Sequence, residues 1–575
     1  MMLGLVRRIA ILVAAGCVLV ALGWLSARDV VADLRTARDL HAIAYVGSAE
    51  CRRCHADHYA SWHRTFHRTM TQQARPHAVL GDFGGARLEY LGVTAHMHRS
   101  DDGGYRIAFE GPGGRGRRTV EVVRAVGSHR YQQYLAREGD ALVRLPVAWH
   151  VLERRWFHMN GAFLTPDPAE PAAGESVSEA DYDRHVVRWN DNCVFCHNVA
   201  PDPGWNERTK RFETSVAELG VACEACHGPG AAHVARNANP LRRYALHLGD
   251  TPDPTIVSPA RLSPERSAEV CGRCHGQRIT DDVGRFLVHG DPFVPGDDLA
   301  AYSEPLWRDT ELDGAAAFEA RFWPDGTARL TAYEYQGLLQ SACAERGELT
   351  CTTCHGMHEG DPAGQIRPEM EGDAMCTGCH EELGGADAVR EHAGHDPASV
   401  QCVDCHMPRI VYGLVAVHRS HRIEVPNPTS WTRGRPDACS LCHVVTSPSG
   451  DWALGPGPSA QSLIGGDPIE RAVAAEGFGR GVGPRGLRLG WLLDVMEADD
   501  YPAVRRVAWR AVRRIAPEVP GEVMDAYEAT ERARERRRAV ARIEAALSVE
   551  PVRPPPALAS ELRAQAARVA IEIGE

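Results

Sequence analysis

Lysine is all but missing from this 575-residue chain: Lys210 is the only one, and the remaining basic residues are arginine. Aromatic residues make up only 7% of the sequence. Cysteine is not scarce, but spare cysteine is. Sixteen of the 18 cysteines fall into C-x-x-C pairs, and only Cys17 and Cys343 lie outside them. With so few left over, a disulfide framework is excluded. A formal charge of -12 argues against nucleic-acid binding.

Each cysteine pair is followed at once by histidine. The motifs are Cys51, Cys54 and His55; Cys193, Cys196 and His197; Cys223, Cys226 and His227; and Cys271, Cys274 and His275. Then come Cys351, Cys354 and His355; Cys376, Cys379 and His380; Cys402, Cys405 and His406; and Cys439, Cys442 and His443. A zinc knuckle or a redox dithiol needs no histidine there. Histidine is 27 of 575 residues, so chance would supply one at about one position in twenty, and eight in a row is far beyond chance. The chemistry that needs this spacing is covalent haem attachment: two thiols add across the vinyl groups, and the next imidazole sits under the iron. The sequence therefore predicts eight covalently bound c-type haems. Their apolar faces would replace side-chain core, which suits a chain with 55 Gly, 37 Pro and few aromatics.

The expected fold class is a mostly α and irregular multihaem cytochrome fold with a small antiparallel β insert and a HEAT-like helical C-terminal domain. The expected segments are 1–27, a signal peptide or membrane anchor; 28–82, the first haem segment; and 83–192, the β-rich insert. They continue with 193–446, a seven-haem core; 447–460, a linker; and 461–575, the helical domain. Arg7 and Arg8 precede the apolar run Ile9 to Leu25, which reads as a secretory signal or an N-terminal anchor. Orientation by the arginines and the export that haem attachment requires both place the rest outside the cytoplasm, in the periplasm or on the inner membrane. Cys17 reads as an ordinary residue of that run.

Tyr59 to Gln73 reads as one helix carrying His63 and His67 on one face. Strand patterns run over Arg87 to Leu91, Tyr105 to Phe109, Arg118 to Val126 and Ala141 to Val151, with turn signals between them. From Cys193 to His443 seven motifs are packed so densely that neighbouring haems must nearly touch. Beyond the linker the pattern turns helical. Over Ala503 to Ala516, Val504, Val507, Ala508, Ala511, Val512 and Ile515 share one face, and Arg505, Arg506, Arg510, Arg513 and Arg514 share the other, read as solvated. Further helices are expected over Val523 to Leu547 and Ala557 to Ile573, in HEAT-type pairs serving as a cap or a docking surface.

Gly47 to Met70, Cys223 to His233, Cys351 to His358 and Cys402 to Pro408 resemble the multihaem cytochrome family related to cytochrome c-554. Gln132 to Leu135, Leu145 to Trp149 and Trp189 to Cys193 are similar to it as well. The resemblance covers about 45 to 445 and implies second, distal ligands at His67, His233, His358 and His421, with His185 as a weaker candidate. His392 or His395 would serve another site, and His129, His150, His158 and His289 compete for what remains. Met407 reads as packing on a haem. The tail departs from the tetratricopeptide pattern of many relatives.

Two functions follow. One is an electron carrier passing electrons along stacked, mostly bis-histidine haems between a quinone-linked donor and a terminal acceptor protein. The other is an oxidoreductase acting on a small nitrogen or sulfur oxyanion at one open haem. Lys210 is the one lysine that could ligate such an iron, and Tyr131 and Tyr134 could wall its pocket.

Overall fold

The computed structural model describes residues 39–444 and 457–571, except 115, 173, 250, 331, 413–415, 428 and 429, with scattered positions between 11 and 32. Of the expected signal or anchor, 11–18 and 20 are described and are helical; the rest of it lies outside the described residues. Among those residues no helix is long and apolar enough to cross a membrane.

Eight antiparallel strands form the largest regular element. They are β1 (Gln72–Gln73), β2 (Gly84–Tyr90), β3 (Val93–Arg99), β4 (Tyr105–Glu110), β5 (Arg118–Val126), β6 (Tyr131–Glu138), β7 (Ala141–His150) and β8 (Arg155–His158). The sheet is a meander from β2 to β8, with β1 paired to β5. β8 comes back beside β2, so the sheet nearly closes. The insert is therefore larger than its strand pattern suggested. β3 shows why it was overlooked: Ala95 and Met97 are fully buried while Thr94, His96 and His98 point outward, so its alternation is carried by small and polar residues. Phe83, Tyr90, Met97, Ile107, Tyr134 and Trp156 pack inside, each contributing about 2 kcal/mol by leaving water.

The Gln132 to Leu135 stretch works structurally. Gln132 is fully buried, donates to the carbonyls of Ala78 and Gly127, and accepts from the Leu80 amide and the Tyr134 hydroxyl. All its polar atoms are thus satisfied, and Tyr134 is a packed, hydrogen-bonded core residue rather than a cavity wall. Tyr131 is buried in the neighbouring core shared with the helical tail.

The tail consists of α1 (Pro458–Gly465), α2 (Pro468–Arg480), α3 (Arg485–Ala498), α4 (Pro502–Ile515), α5 (Ala533–Ala545) and α6 (Pro556–Gln565). Asp467 caps α2 in a capping box with Glu470, and Pro468 and Pro502 occupy first-turn positions where the missing N–H costs nothing. α1 already begins inside the stretch read as linker. The helix expected from Val523 to Leu547 is broken. Between Gly521–Asp525 and α5 the chain turns, because Tyr527 is buried with its hydroxyl on the Met496 carbonyl and Arg505 takes the Ala529 carbonyl. The last helix ends at Gln565, and Ile571 then bridges to Leu164.

The Arg face of α4 corrects the sequence reading. Arg505 is 0% and Arg506 1% exposed. Arg505 pairs with Asp167 at 2.8 Å; Arg506 pairs with Glu153 at 3.3 Å and Glu528 at 2.8 Å; Arg510 reaches Glu153 at 2.7 Å. Only Arg513 and Arg514, at the end of the helix, approach solvent. Both faces of α4 are thus buried, one by valine and alanine, the other by carboxylates from the β unit and the following loop. The tail also frames the last C-x-x-C-H motif: the Val482 amide donates to the Cys442 carbonyl at 2.8 Å, and Ser459 Oγ to the Ser440 carbonyl at 2.5 Å.

Candidate haem sites

Among the described residues no cysteine is paired with another in a disulfide. Five pairs lie wholly on helical elements, Cys223–His227, Pro264–His275, Cys351–Cys354, Cys402–His406 and Ala438–Cys442; Cys51 and Cys376 close the short turns Ser48–Cys51 and Ala374–Thr377 with Cys54 and Cys379 just beyond, and Cys193 and Cys196 lie on the adjoining Trp189–Cys193 and Val194–His197. A spacing of three residues on such a turn puts both thiols on one side. The histidine that follows stands at the end of the turn. Three of these rings are fixed from behind in one way. Nδ1 of His227 donates to the Val257 carbonyl at 2.7 Å, that of His355 to Gly364 at 2.8 Å, and that of His406 to Glu424 at 2.7 Å. Nε2 is then left with its lone pair forward, as a metal ligand requires.

The histidines meet in pairs. With a metal–nitrogen bond of about 2.0 Å and a nitrogen about 1.1 Å from its ring centre, two imidazoles flanking one iron have centres about 6.2 Å apart. His233 stands 6.2 Å from His55, His358 stands 6.0 Å from His227, and His67 stands 6.0 Å from His275. His421 lies 6.3 Å from His355, His392 6.0 Å from His406, and His395 6.0 Å from His443. Six sites therefore fit a haem iron held between two imidazoles. Burial lowers His67, His358 and His421 to about 4. That keeps them neutral, the form that binds a metal.

His58 is also 6.1 Å from His55, but it stacks on His358 at 4.2 Å, too close for an iron between those two rings. His233 is held by Asp253 through Nδ1 at 3.0 Å, which turns its Nε2 outward and makes it the better partner of His55. His392 and His395 are not alternatives; each faces its own motif. The sequence signal for this was local: both lie on the stretch between the sixth and seventh motifs. Leaving His63 behind, His67 reaches His275 because the expected helix stops at Trp62, whose indole donates to the Val221 carbonyl. His67 then sits in a turn.

Two motif histidines have no second imidazole among the described residues. His197 is buried, which lowers it to about 4, and its Nδ1 has no hydrogen-bond partner. His380 is exposed, with Glu382 3.4 Å from its Nδ1. His185 does not face His197. Its ring stacks on Phe163 at 4.0 Å and its Nε2 meets Thr165 Oγ1 at 3.2 Å. His150 is tied to the Glu153 amide and Arg510, His158 stacks on Tyr90, and His129 stacks on Phe66. His289 is exposed at the end of its helix. Lys210 is exposed and paired with Glu207, so it stands over no motif.

Thiols of different motifs touch, and they give an order. Cys51 and Cys223, Cys196 and Cys274, Cys271 and Cys351, and Cys376 and Cys402 lie close enough for each thiol to perturb the other. Cys226 and Cys274, Cys354 and Cys376, and Cys405 and Cys442 are close enough to act on each other's charge. The motifs so form one line, first–third–fourth–fifth–sixth–seventh–eighth, with the second attached to the fourth as a side branch.

A family model for the doubled C-x-x-C-H motif matches residues 343–385, spanning the fifth and sixth motifs. The chain is 23% identical over 275 residues to the multiheme cytochrome MtrA of Shewanella baltica (strain OS185), covering 47% of this chain and 59% of that protein. It thus spans little more than half of that curated relative. The outer cell wall cytochrome OcwA matches in structure over 88% of this chain and 100% of its own, at 18% identity and a TM-score of 0.45, too distant to carry an argument. The doubled motif and the curated relative support covalently bound c-type haems and a multihaem cytochrome.

Replacing His358 by leucine should leave the third site with one imidazole. Its iron should pass from low spin to high spin, read as one new high-spin equivalent by electron paramagnetic resonance, with the haem content unchanged.

Proposed function

We propose that this protein is an extracytoplasmic electron-transfer cytochrome holding eight c-type haems. Seven lie in line and the second hangs from the fourth. Six carry two histidines each, as the imidazole pairs suggest, and those of His197 and His380 keep one axial position open. Bound haem supplies reversible one-electron chemistry. The chain would hold each group by two thioethers and one or two imidazoles; it orients the proximal ring from behind at His227, His355 and His406, and brings the attachment edges of neighbours together. A quinone-linked donor and a terminal acceptor remain the partners we infer, with the N-terminal segment as the tie to the membrane. We assign the helical tail a clamping role, since Arg505, Arg506 and Arg510 of α4 are spent inside the molecule.

The observation that carries this reading is the set of imidazole pairs at 6.0 to 6.3 Å. The test is a haem count by pyridine haemochrome together with a resonance spectrum of the oxidised protein. Eight haems per chain, with six irons low-spin, is the expected result. Fewer than eight, or pigment that extracts into acidified organic solvent, would overturn it.

A second reading rests on His197, buried and without a second imidazole. An open haem there would admit a small nitrogen or sulfur oxyanion. Nitrite or hydroxylamine shifting the high-spin signal, with turnover under reducing conditions, would favour it; no shift at millimolar ligand would exclude it.

A further inference from the structure

The fourth motif differs from its neighbours in two independent ways. Its imidazoles, His67 and His275, cross at 84°, whereas those of the third, fifth and seventh sites lie at 5°, 25° and 13°. Those same three sites have a proximal Nδ1 donating to a main-chain carbonyl. His275 instead has a carboxylate behind it, Glu334, with Oε2 3.9 Å from Nδ1. His421 and His418 also face the Glu334 carboxyl. The Glu334 side chain is 18% exposed and opens the helix Glu334–Leu339, packed against the helix that carries the fourth motif. On the distal side the Gln365 side chain hydrogen-bonds His67.

These features sit at the junction of the line. Cys274 touches Cys196 of the branch, Cys271 touches Cys351 of the next site, and Cys226 of the third site lies close. Resting on the haem reading above, we propose that Glu334 is a positioning residue that sets the electronic character of the junction haem. A carboxylate 3.9 Å from Nδ1 is beyond hydrogen-bond distance but places negative charge beside the ring, which stabilises ferric over ferrous iron. A neutral carbonyl does so less. Crossed rings leave the two metal orbitals of π symmetry nearly equal in energy, whereas parallel rings split them. The junction iron should therefore show a strongly anisotropic low-spin signal, separable from the rhombic signals of the parallel sites. That signal identifies the haem without any substitution.

The experiment is a reductive titration of the full-length holoprotein followed by electron paramagnetic resonance. One strongly anisotropic low-spin equivalent should persist to lower potential than the rhombic signals. In Glu334→Gln it should vanish at higher potential, with the rhombic signals of the third and seventh sites unmoved and that of the fifth, whose His421 faces Glu334, moved less than the junction signal; Glu334→Asp should keep the original behaviour. The proposal falls if no such equivalent exists, if in the unaltered protein it is reduced before the rhombic sites, or if Glu334→Gln moves every signal alike. The first two outcomes need no variant to assemble. A failure of the haem count would sink the broader reading, whereas these outcomes sink the Glu334 role alone.

Discussion

Glu153→Gln should destabilise the protein by about 3–5 kcal/mol, the range for removing one partner of a buried ion pair. Glu153 sits just past the end of β7 and is 12% exposed. Three arginines converge on it: Arg155 at 2.9 Å, Arg506 at 3.3 Å and Arg510 at 2.7 Å. Arg506 and Arg510 come from the tail, so this one carboxylate joins the β unit to α4. Neutralising it leaves Arg506, 1% exposed, with Glu528 as its remaining ion-pair partner among the described residues. Thermal unfolding followed by circular dichroism checks this, and an unchanged midpoint would show that the junction is held by apolar packing alone.

The same residue gives a pH dependence. Burial alone would push its carboxyl up, but Arg506, Arg510, His150 and Arg155 outweigh it and lower it to about 2. A carboxyl lowered on folding stabilises fully above its unfolded value, about 4.5, and loses that contribution as pH falls toward 2. The difference spans about 2.5 pH units, or about 3 kcal/mol, in line with the first figure. The gap in stability between the parent and Glu153→Gln should therefore narrow from pH 5 downward and nearly close by about pH 2.

The second large effect is expected from Cys351→Ala with Cys354→Ala, which removes the fifth haem. Cys351 touches Cys271 on one side, and Cys354 lies near Cys376 on the other. In the line of sites drawn above, the fifth is the link between the first four and the last three. The variant should carry one haem fewer and behave as two electron pools. After rapid partial reduction, the parent should equilibrate in a single fast phase. In the variant that fast phase should be lost between the two groups, leaving slow exchange between molecules. A variant that still equilibrates in one fast phase would refute the order of sites. Removing the second haem through Cys193→Ala and Cys196→Ala is the control, since a side branch can go without cutting the line.

The covalent part of these sites was legible because it is local. Two thiols and an imidazole must fall within five residues to serve one porphyrin, and that spacing survives any fold. The distal partners obey no such limit. His233 was suggested by resemblance, but the choice between His392 and His395 depended on a distance through space, and each stands opposite a motif histidine of its own. His185 looked suitable only because it lies near a motif in sequence; in space Phe163 and Thr165 take its ring. Arg505 and Arg506 were misread for a physical reason. Helical amphipathicity counts every arginine as solvated, although an arginine can be buried when a carboxylate from elsewhere meets it. Asp167 and Glu153 lie over 300 residues away in sequence, and no local pattern reports them. β3 and β6 were hidden because polar and small residues blurred their alternation.

The bridge between Ile571 and Leu164 joins the last described residue to the edge of the β unit. Such a closure is available only once residue 571 has been made. Until then the β unit is an unfinished scaffold, in which Tyr131 and Phe157 still lack the helices that cover them. A product truncated before α4 would offer those rings to proteases, so the cell should keep only full-length molecules.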